Sequence, residues 1–348
     1  MDRGADYVDL MKLSAAYDGA NLGHAGLTGL VSLEHAFGSG FTARRVGGLQ
    51  SVSASEAQPG STRLYELWLQ QALFEGQGGV KVGLIDINTT FDVQETGALF
   101  FNASHGIGPD LGDTGLNGPS DYPTPTLGAT AFYRPSEDWT AQLGIFDGVA
   151  GDPAHRADFV AVKLEGALVI GQIDKRFGDR ARLEIGAWTY TAAFPELGGP
   201  TGASRRMLRD DSGVYGLVEG RLLPKPSDND GGLSGWVRIG LANGEINEVS
   251  NYLGGGLVYT GLIEGREKDE IGLAIARAGL GAGARRTGSI EGRATGAAET
   301  DLEATYRYVL KDWLNIQPDL QYVIHPRGDQ HISNAVVVGL RFAFTYSK

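Results

Sequence analysis

The residue types that carry out catalysis or bind metals are sparse in this chain of 348 residues. Its six histidines are scattered, and none belongs to a His-Glu-x-x-His pattern, which places two metal ligands on one helix face. Cysteine is absent, which excludes thiol chemistry and disulfides. No Gly-x-Ser-x-Gly motif stands between a strand and a helix, and the glycines at 254–256 precede a predicted strand. We therefore expect no enzyme, no catalytic residue, no metal site and no cofactor.

Charged, amide and indole side chains that could contact a polar solute occur in two settings. Some alternate with apolar residues and so share the polar face of predicted strands: Glu66, Trp68, Lys81, Trp236, Arg238, Arg307, Asp319 and Arg341. Two more, Asp92 and Gln94, lie in a long irregular segment. Such groups exchange hydrogen bonds with solute hydroxyls, and an indole offers a flat apolar face. We also expect Glu66 and Lys81 to pair across neighbouring strands.

Each of these candidates has a structural alternative. An inward arginine can be solvated, or it can be paired with a neighbouring carboxylate without touching a solute. The indoles of Trp68, Trp236 and Trp313 can instead pack under an inward loop or lie at an interface.

The elements that must position these side chains are strands, and they are clearest between residues 299 and 346. In the last of three segments there, Val336, Val338, Leu340 and Phe342 alternate with residues such as Arg341. Successive strand side chains point to opposite faces, so each segment has one apolar and one largely polar face. Each segment has about the ~9–11 residues that a tilted strand needs to cross a bilayer. The pattern is typical of a transmembrane antiparallel β-barrel.

The same alternation predicts about 16 strands, an even number whose connections are alternately short and long, as in outer-membrane barrels. The predicted strands are 8–17, 24–37, 44–53, 64–74, 79–86, 126–133, 139–146, 159–177, 182–191, 213–222, 233–241, 252–260, 270–275, 302–310, 314–324 and 336–346. We expect one barrel over residues 1–348, with the last strand closing against the first. Residues 89–125 interrupt the pattern, and a loop of that length is unusual unless it is functional. We expect it to fold into the lumen as a constriction; the alternative is an ordinary extracellular loop.

Composition excludes several classes of protein. The net charge of −12 disfavours nucleic acid as a partner, since phosphate binding requires a basic surface. No apolar run approaches the ~18 residues of a membrane-spanning helix. Residues 1–4 lack the apolar region of a signal peptide, so we expect the precursor to carry a secretory signal that this sequence lacks.

Three stretches have an order of residues that alternation alone would not produce. The first, 64–108, contains Tyr-Glu-Leu-Trp at 65–68 and Phe-Phe-Asn at 100–102; the second, 261–269, contains Gly-Leu-Ile and Gly-Arg. The third is the most specific, with Thr-Tyr-Arg-Tyr at 305–308, Gln-Pro-Asp-Leu-Gln-Tyr at 317–322 and Gly-Leu-Arg-Phe at 339–342. In these stretches the chain resembles the OprB family of carbohydrate-selective porins. One departure is that Ser347 and Lys348 follow the final aromatic residue, where family chains usually end.

The resemblance implies a sixteen-stranded barrel of the bacterial outer membrane that admits small carbohydrates, such as glucose-like monosaccharides, by passive diffusion. Its expected partners are these sugars, outer-membrane lipid and lipopolysaccharide, and a homo-oligomer is an open alternative to a monomer. Three other functions stay open. The arginines Arg238, Arg307 and Arg341 could form a positive strip in a general or anion-preferring porin. An outer-membrane enzyme such as a lipase would need a Ser–His pair on the lipid-facing side, and the predicted outward faces contain none. A soluble all-β carbohydrate-binding protein would bury its apolar strips against each other and refold without detergent.

Overall fold

In the computed structural model, strands that are neighbours along the chain pair to form one antiparallel sheet of fifteen strands. The structure describes residues 4–38, 40–57, 60–151, 166–225 and 228–347. The sheet strands are β1 (Asp9–Asp18), β2 (Leu27–Phe37), β3 (Ser61–Leu73), β4 (Gly78–Ile85), β5 (Thr126–Ser136), β6 (Trp139–Asp147), β7 (Ala167–Phe177), β8 (Ala181–Tyr190), β11 (Ser212–Lys225), β12 (Asp228–Ala242), β13 (Val249–Thr260), β14 (Glu270–Leu280), β15 (Ala298–Lys311), β16 (Leu314–Ile324) and β17 (Ala335–Phe344). Between β8 and β11, a separate ribbon is formed by β9 (Phe194–Pro195) and β10 (Met207–Leu208). The edges of the sheet are the first and last strands, the order expected of a barrel.

Helical structure is confined to the connections. The α-helices are α1 (Pro109–Gly112) and α2 (Ala282–Ile290), and Thr42–Val46 forms a π turn. Short 3₁₀ turns lie at Gly19–Leu22, Phe74–Gly76, Ile87–Thr89, Gly97–Leu99, Ala103–His105, Gly202–Ser204 and Pro326–Gly328. Within the described ranges, no helix has both the length and the apolar character to span a membrane.

The outer face of the sheet is apolar and the inner face is polar. Large apolar side chains at alternate positions are more than half exposed, among them Leu69, Leu143, Ile239, Leu273 and Val338. A water-soluble sheet would bury such a face, whereas a transmembrane barrel turns it towards lipid. Exposed aromatic side chains near the short turns provide the interfacial girdle expected of such a barrel: Phe74, Tyr133, Trp139, Phe177 and Trp313.

The connections differ in length at the two ends of the barrel. Short turns join β5 to β6, β7 to β8 and β15 to β16, whereas the connections 38–60, 86–125, 191–211 and 281–297 lie at the opposite end. Outer-membrane barrels have short periplasmic turns and longer extracellular loops. The short-turn end is therefore periplasmic, and the long loops are extracellular.

The predicted strand 44–53 is wrong, and it accounts for the difference between about 16 strands and the fifteen of the sheet. The segment begins within the π turn and then folds inward, where the backbone N–H groups of Leu49 and Gln50 donate to Glu299 at 2.7 and 2.8 Å. Gln321 Nε2 donates to the carbonyl of Val52 at 2.8 Å. Its backbone groups thus bond to inner-wall side chains instead of to a neighbouring strand. Of the predicted strand 159–177, residues 167–177 form β7. Residues 159–165 lie outside the described residues.

The predicted inward loop 89–125 lies inside the barrel, as expected, within the connection 86–125 between β4 and β5. Its side chains Ile87, Phe91 and Leu111 are buried in a cluster with apolar residues from the inner faces of β6, β7 and β8. A second cluster joins Leu99 and Phe100 to the inner faces of β11–β14. Apolar contacts with these consecutive wall strands therefore hold the loop inside the lumen.

Candidate functional site

A buried arginine fastens the loop to the barrel wall. Arg238 projects inward from β12 and is fully buried. Its Nε and Nη2 donate to Asp92 at 3.0 and 2.8 Å, and its Nη1 donates to Asp110 in α1. The guanidinium carbon lies 5.4 Å from the Tyr215 ring centroid and 5.2 Å from that of Tyr252, which gives it an aromatic face on each side. One cation therefore joins two points of the loop to three neighbouring strands.

The loop is shaped to receive this cation. Asp92 has a left-handed backbone, with φ of 53°, and its backbone N–H donates to Gln172 at 3.0 Å. Burial raises the pKa of Asp92, while the charge of Arg238 opposes that rise. A Cβ at Gly108 would lie 2.1 Å from Arg238 Nη1, so only glycine fits beside the guanidinium.

Wall carboxylates bind the loop backbone at further points. Glu219 accepts from the N–H groups of Glu95 and Thr96 at 3.3 and 2.9 Å. Glu303 accepts from those of Phe101 and Asn102 at 2.5 and 3.1 Å. Charge-assisted bonds of this kind are the stronger class of hydrogen bond. Glu219, Glu299 and Glu303 are not among the predicted site residues. The pattern does place the acidic side chains of β15 on the polar face of that strand.

Two predicted pore residues interlock the loop with the wall. Trp236 Nε1 donates to Gln94 Oε1 at 3.0 Å, and both side chains are buried. The ring of His105 lies 5.6 Å from Trp236 and 5.1 Å from Phe100, and burial lowers its pKa to about 3, so it is neutral. Trp236 therefore packs under the inward loop, the alternative that was left open for it.

The predicted pair of Glu66 and Lys81 does not form. Glu66 is buried and lies 3.6 Å from the ammonium group of Lys12. It also accepts a hydrogen bond of 3.3 Å from Trp68 Nε1. Lys81 instead lies 4.8 Å from the Trp68 ring centroid and 3.4 Å from Thr90 Oγ1. The face assignment places all three predicted residues inside, but Lys12 supplies the cation for Glu66.

The three predicted arginines do not form a continuous strip. Arg238 is buried with two carboxylates, and Arg307 pairs with Glu270 on the partly exposed wall. Arg341 is half-buried, donates to Gln317 Oε1 at 2.6 Å and lies 4.2 Å from the Phe101 ring centroid. The predicted residue Asp319 is buried and accepts from Gln321. Only Arg341 of the three lacks a carboxylate among the ion pairs of the described residues.

Two polar spaces flank the loop. The inner basin, about 380 Å³ on the periplasmic side, is lined by residues including Gln70, Lys81, Thr90, Thr130, Phe132, Arg134, Gln142 and Arg182. The outer basin, about 700 Å³ on the extracellular side, is lined by residues including Asp113, Asn117, Asp121, Tyr122, Glu248 and Arg327. The loop thus lies between two polar spaces inside the barrel.

The outer basin is acidic. Arg327 pairs with Glu248 at 3.0 Å, which leaves Asp113 and Asp121 without a facing cation among the described ion pairs. The Asp113 side chain is exposed to the water of the basin. The protein atoms that surround it and, less strongly, the charge of Glu248 raise its pKa to about 7. Burial and the neighbouring Asp86 raise the pKa of Asp121 well above its usual range.

Comparisons with known proteins agree with this architecture. The model of a family described as carbohydrate-selective porin, OprB family, matches residues 2–346. Porin B of Pseudomonas aeruginosa is 24% identical over 333 residues, covering 85% of this chain and 71% of the relative.

Solved structures share the fold. The high-pH structure of Pseudomonas putida OprB superimposes with a TM-score of 0.87 at 21% identity, over 99% of this chain and 89% of the other. The low-pH structure of the same protein gives 0.60 at 18% identity, over 97% and 85%. OmpT of Vibrio cholerae, an outer membrane protein, gives 0.51 at 12% identity, over 97% and 89%.

Proposed function

The chain belongs to the OprB family of carbohydrate-selective porins, and from this premise we propose the path that a sugar takes through its lumen. It is a sugar-favouring porin of the bacterial outer membrane. The solute enters the outer basin, passes the loop 86–125 and leaves through the inner basin. The barrel is one unit over residues 1–348 and acts as a passive channel that carries out no reaction.

The composition of the inner basin is the observation that carries this proposal. Uncharged donors and acceptors surround the space there: Gln70, Thr90, Thr130 and Gln142. Phe132 adds an aromatic face against which the apolar side of a pyranose ring can slide. These groups replace the water around sugar hydroxyls without holding the sugar tightly, which is the condition for passage.

Charge compensation in the basin favours a neutral solute. Arg182 lies 2.7 Å from Glu184, pairs with Glu219 and lies 3.5 Å from Glu95. Lys81 has no carboxylate among the ion pairs of the described residues, and its ammonium faces an indole. Arg134 likewise has no carboxylate among those ion pairs, and its guanidinium carbon lies 4.6 Å from the Phe132 ring centroid. Glu95 also lines the basin and offsets part of the charge of these two cations, so the sugar-favouring function fits better than an anion-preferring one. Lys81 donates hydrogen bonds to the solute in the inner basin. The wall and loop are held by Arg341, Arg238, Trp236, Gln94, Asp92, Glu66 and Asp319.

The test removes the aromatic face of the inner basin. Phe132→Leu should lower the liposome swelling rate with glucose at least twofold relative to that with an uncharged amino acid. The matched control is Phe177→Leu, because Phe177 is an aromatic residue exposed on the outer face of the barrel, near the short turns. If the ratio of the glucose to the amino-acid swelling rate is the same in both variants and in the wild type, Phe132 does not contribute to the sugar path. Contacts with lipopolysaccharide and assembly into a homo-oligomer remain predictions, and both can be examined in the same membrane preparation.

A further inference from the structure

An apolar groove crosses the lipid-facing wall where three neighbouring strands carry glycine. Gly220 of β11 pairs in register with Gly235 of β12, and Gly255 of β13 pairs with Val237, one outward position along β12. A glycine adds no side chain to an outer face, so the wall is low along this line. Leu257 and Leu273 rise beside it as one side of a groove of about 650 Å³. That volume lies within the ~300–1,000 Å³ of pockets that hold drug-sized ligands.

The groove has a cation at its periplasmic end. Arg180, in the short turn between β7 and β8, lines it and is solvent exposed. From Leu222 near that end to Val218 the groove runs about 14 Å at ~3.4 Å per residue. Strands of such barrels tilt by about 35–45°, so this length covers roughly 10 Å of depth, which lies within the ~15 Å of one leaflet.

We propose that this groove is a binding site for a phospholipid of the periplasmic leaflet, with one acyl chain over the glycines and its phosphate at Arg180. The apolar lining fits a chain, and Arg180, with Arg221 also on the lining, lies at the depth of the headgroups of that leaflet. Lys and Arg at a membrane surface attract anionic headgroups, so Arg180 favours an anionic lipid. This site is separate from the sugar path, because its apolar walls are made by outward-facing side chains such as Val218, Val237, Leu257 and Leu273.

The test fills the groove from its wall. A Cβ at Gly220 would lie 2.1 Å from the carbonyl oxygen of Arg180, so the glycines themselves cannot be substituted without backbone shifts. Val237 faces outward, is 52% exposed and lies beside Gly255, so Val237→Phe places a ring over the groove floor. Arg180→Gln removes the headgroup contact. Val338→Phe on β17 is the matched control, because Val338 is exposed outside the groove.

Native mass spectrometry of delipidated protein in detergent, titrated with phosphatidylglycerol or with diacylglycerol of the same chains, separates the two parts of the site. Val237→Phe should weaken binding of both lipids at least fivefold, and Arg180→Gln should weaken only phosphatidylglycerol, at least threefold. Val338→Phe should match the wild type. Equal binding by Val237→Phe and Val338→Phe overturns the proposal. So does a change of subunit number in Val237→Phe without a change in lipid binding, which would make the groove a subunit interface.

Discussion

Removing the buried guanidinium of Arg238 should release the constriction loop without unfolding the barrel. Arg238→Met keeps much of the side-chain volume between Tyr215 and Tyr252 but leaves Asp92 and Asp110 without their cation. The strand itself keeps its backbone pairing with β11 and β13. The loop should therefore detach at this point while the wall persists.

The magnitude follows from the burial of all three groups. Arg238, Asp92 and Asp110 are each fully buried, and breaking a buried pair by removing one partner costs about 3–5 kcal/mol. Most of that cost is the uncompensated charge left behind, so the triple variant Arg238→Met, Asp92→Asn, Asp110→Asn should recover much of it. Arg307→Met is the matched control, because its partly exposed pair with Glu270 is worth about 0–1 kcal/mol.

Two assays report on this change. Urea unfolding from lipid vesicles gives the free energy of unfolding, and single-channel recording gives the conductance. Arg238→Met should lose about 3–5 kcal/mol, and its conductance should rise or fluctuate as the loop leaves the lumen. A variant with wild-type conductance and a loss below about 1 kcal/mol would refute the assignment of Arg238 as the loop anchor.

Two further predictions concern the lipid face and the outer basin. Phe342 is exposed on the outer face of β17, so Phe342→Arg should lower the free energy of unfolding in lipid by about 2–4 kcal/mol. Phe342→Leu should cost little. An arginine variant as stable as the wild type would contradict a lipid-facing position. Asp113 has a pKa of about 7, so its carboxylate ionises between pH 6 and 8 and the K⁺-over-Cl⁻ permeability ratio should rise with pH. Asp113→Asn should flatten that rise in reversal-potential measurements, whereas Asp312→Asn in a periplasmic turn should not; an unchanged slope in Asp113→Asn counts against the assignment.

Alternation located the strands well because it is a local property. The predicted strand 314–324 coincides with β16, and 302–310 lies within β15. It failed where the backbone bonds to something other than a strand, as in 44–53. Strict alternation would also place Tyr65 on the same face as the outward Leu67. A register shift between β2 and β3 turns Tyr65 inward, where its hydroxyl donates to Asp86.

The polar face could be predicted, but the function of each residue on it could not. Trp236 and Arg238 do point inward, yet the loop covers them, and loop docking depends on contacts distant in sequence. The pair of Glu66 and Lys81 failed for a related reason. Lys81 is opposite Gln70 in the register of β3 and β4, so Glu66 lies four positions away, and Lys12 of β1 reaches it across β2.

Liposome swelling by the wild-type protein tests the central claim most directly. The solutes are glucose, a disaccharide, an uncharged amino acid and a dicarboxylate, all under equal osmotic load. If the lumen favours neutral sugars, glucose should enter faster than its size alone predicts, and the dicarboxylate should enter more slowly. Rates ordered by size alone, or fastest for the dicarboxylate, would contradict a sugar-favouring path through the two basins.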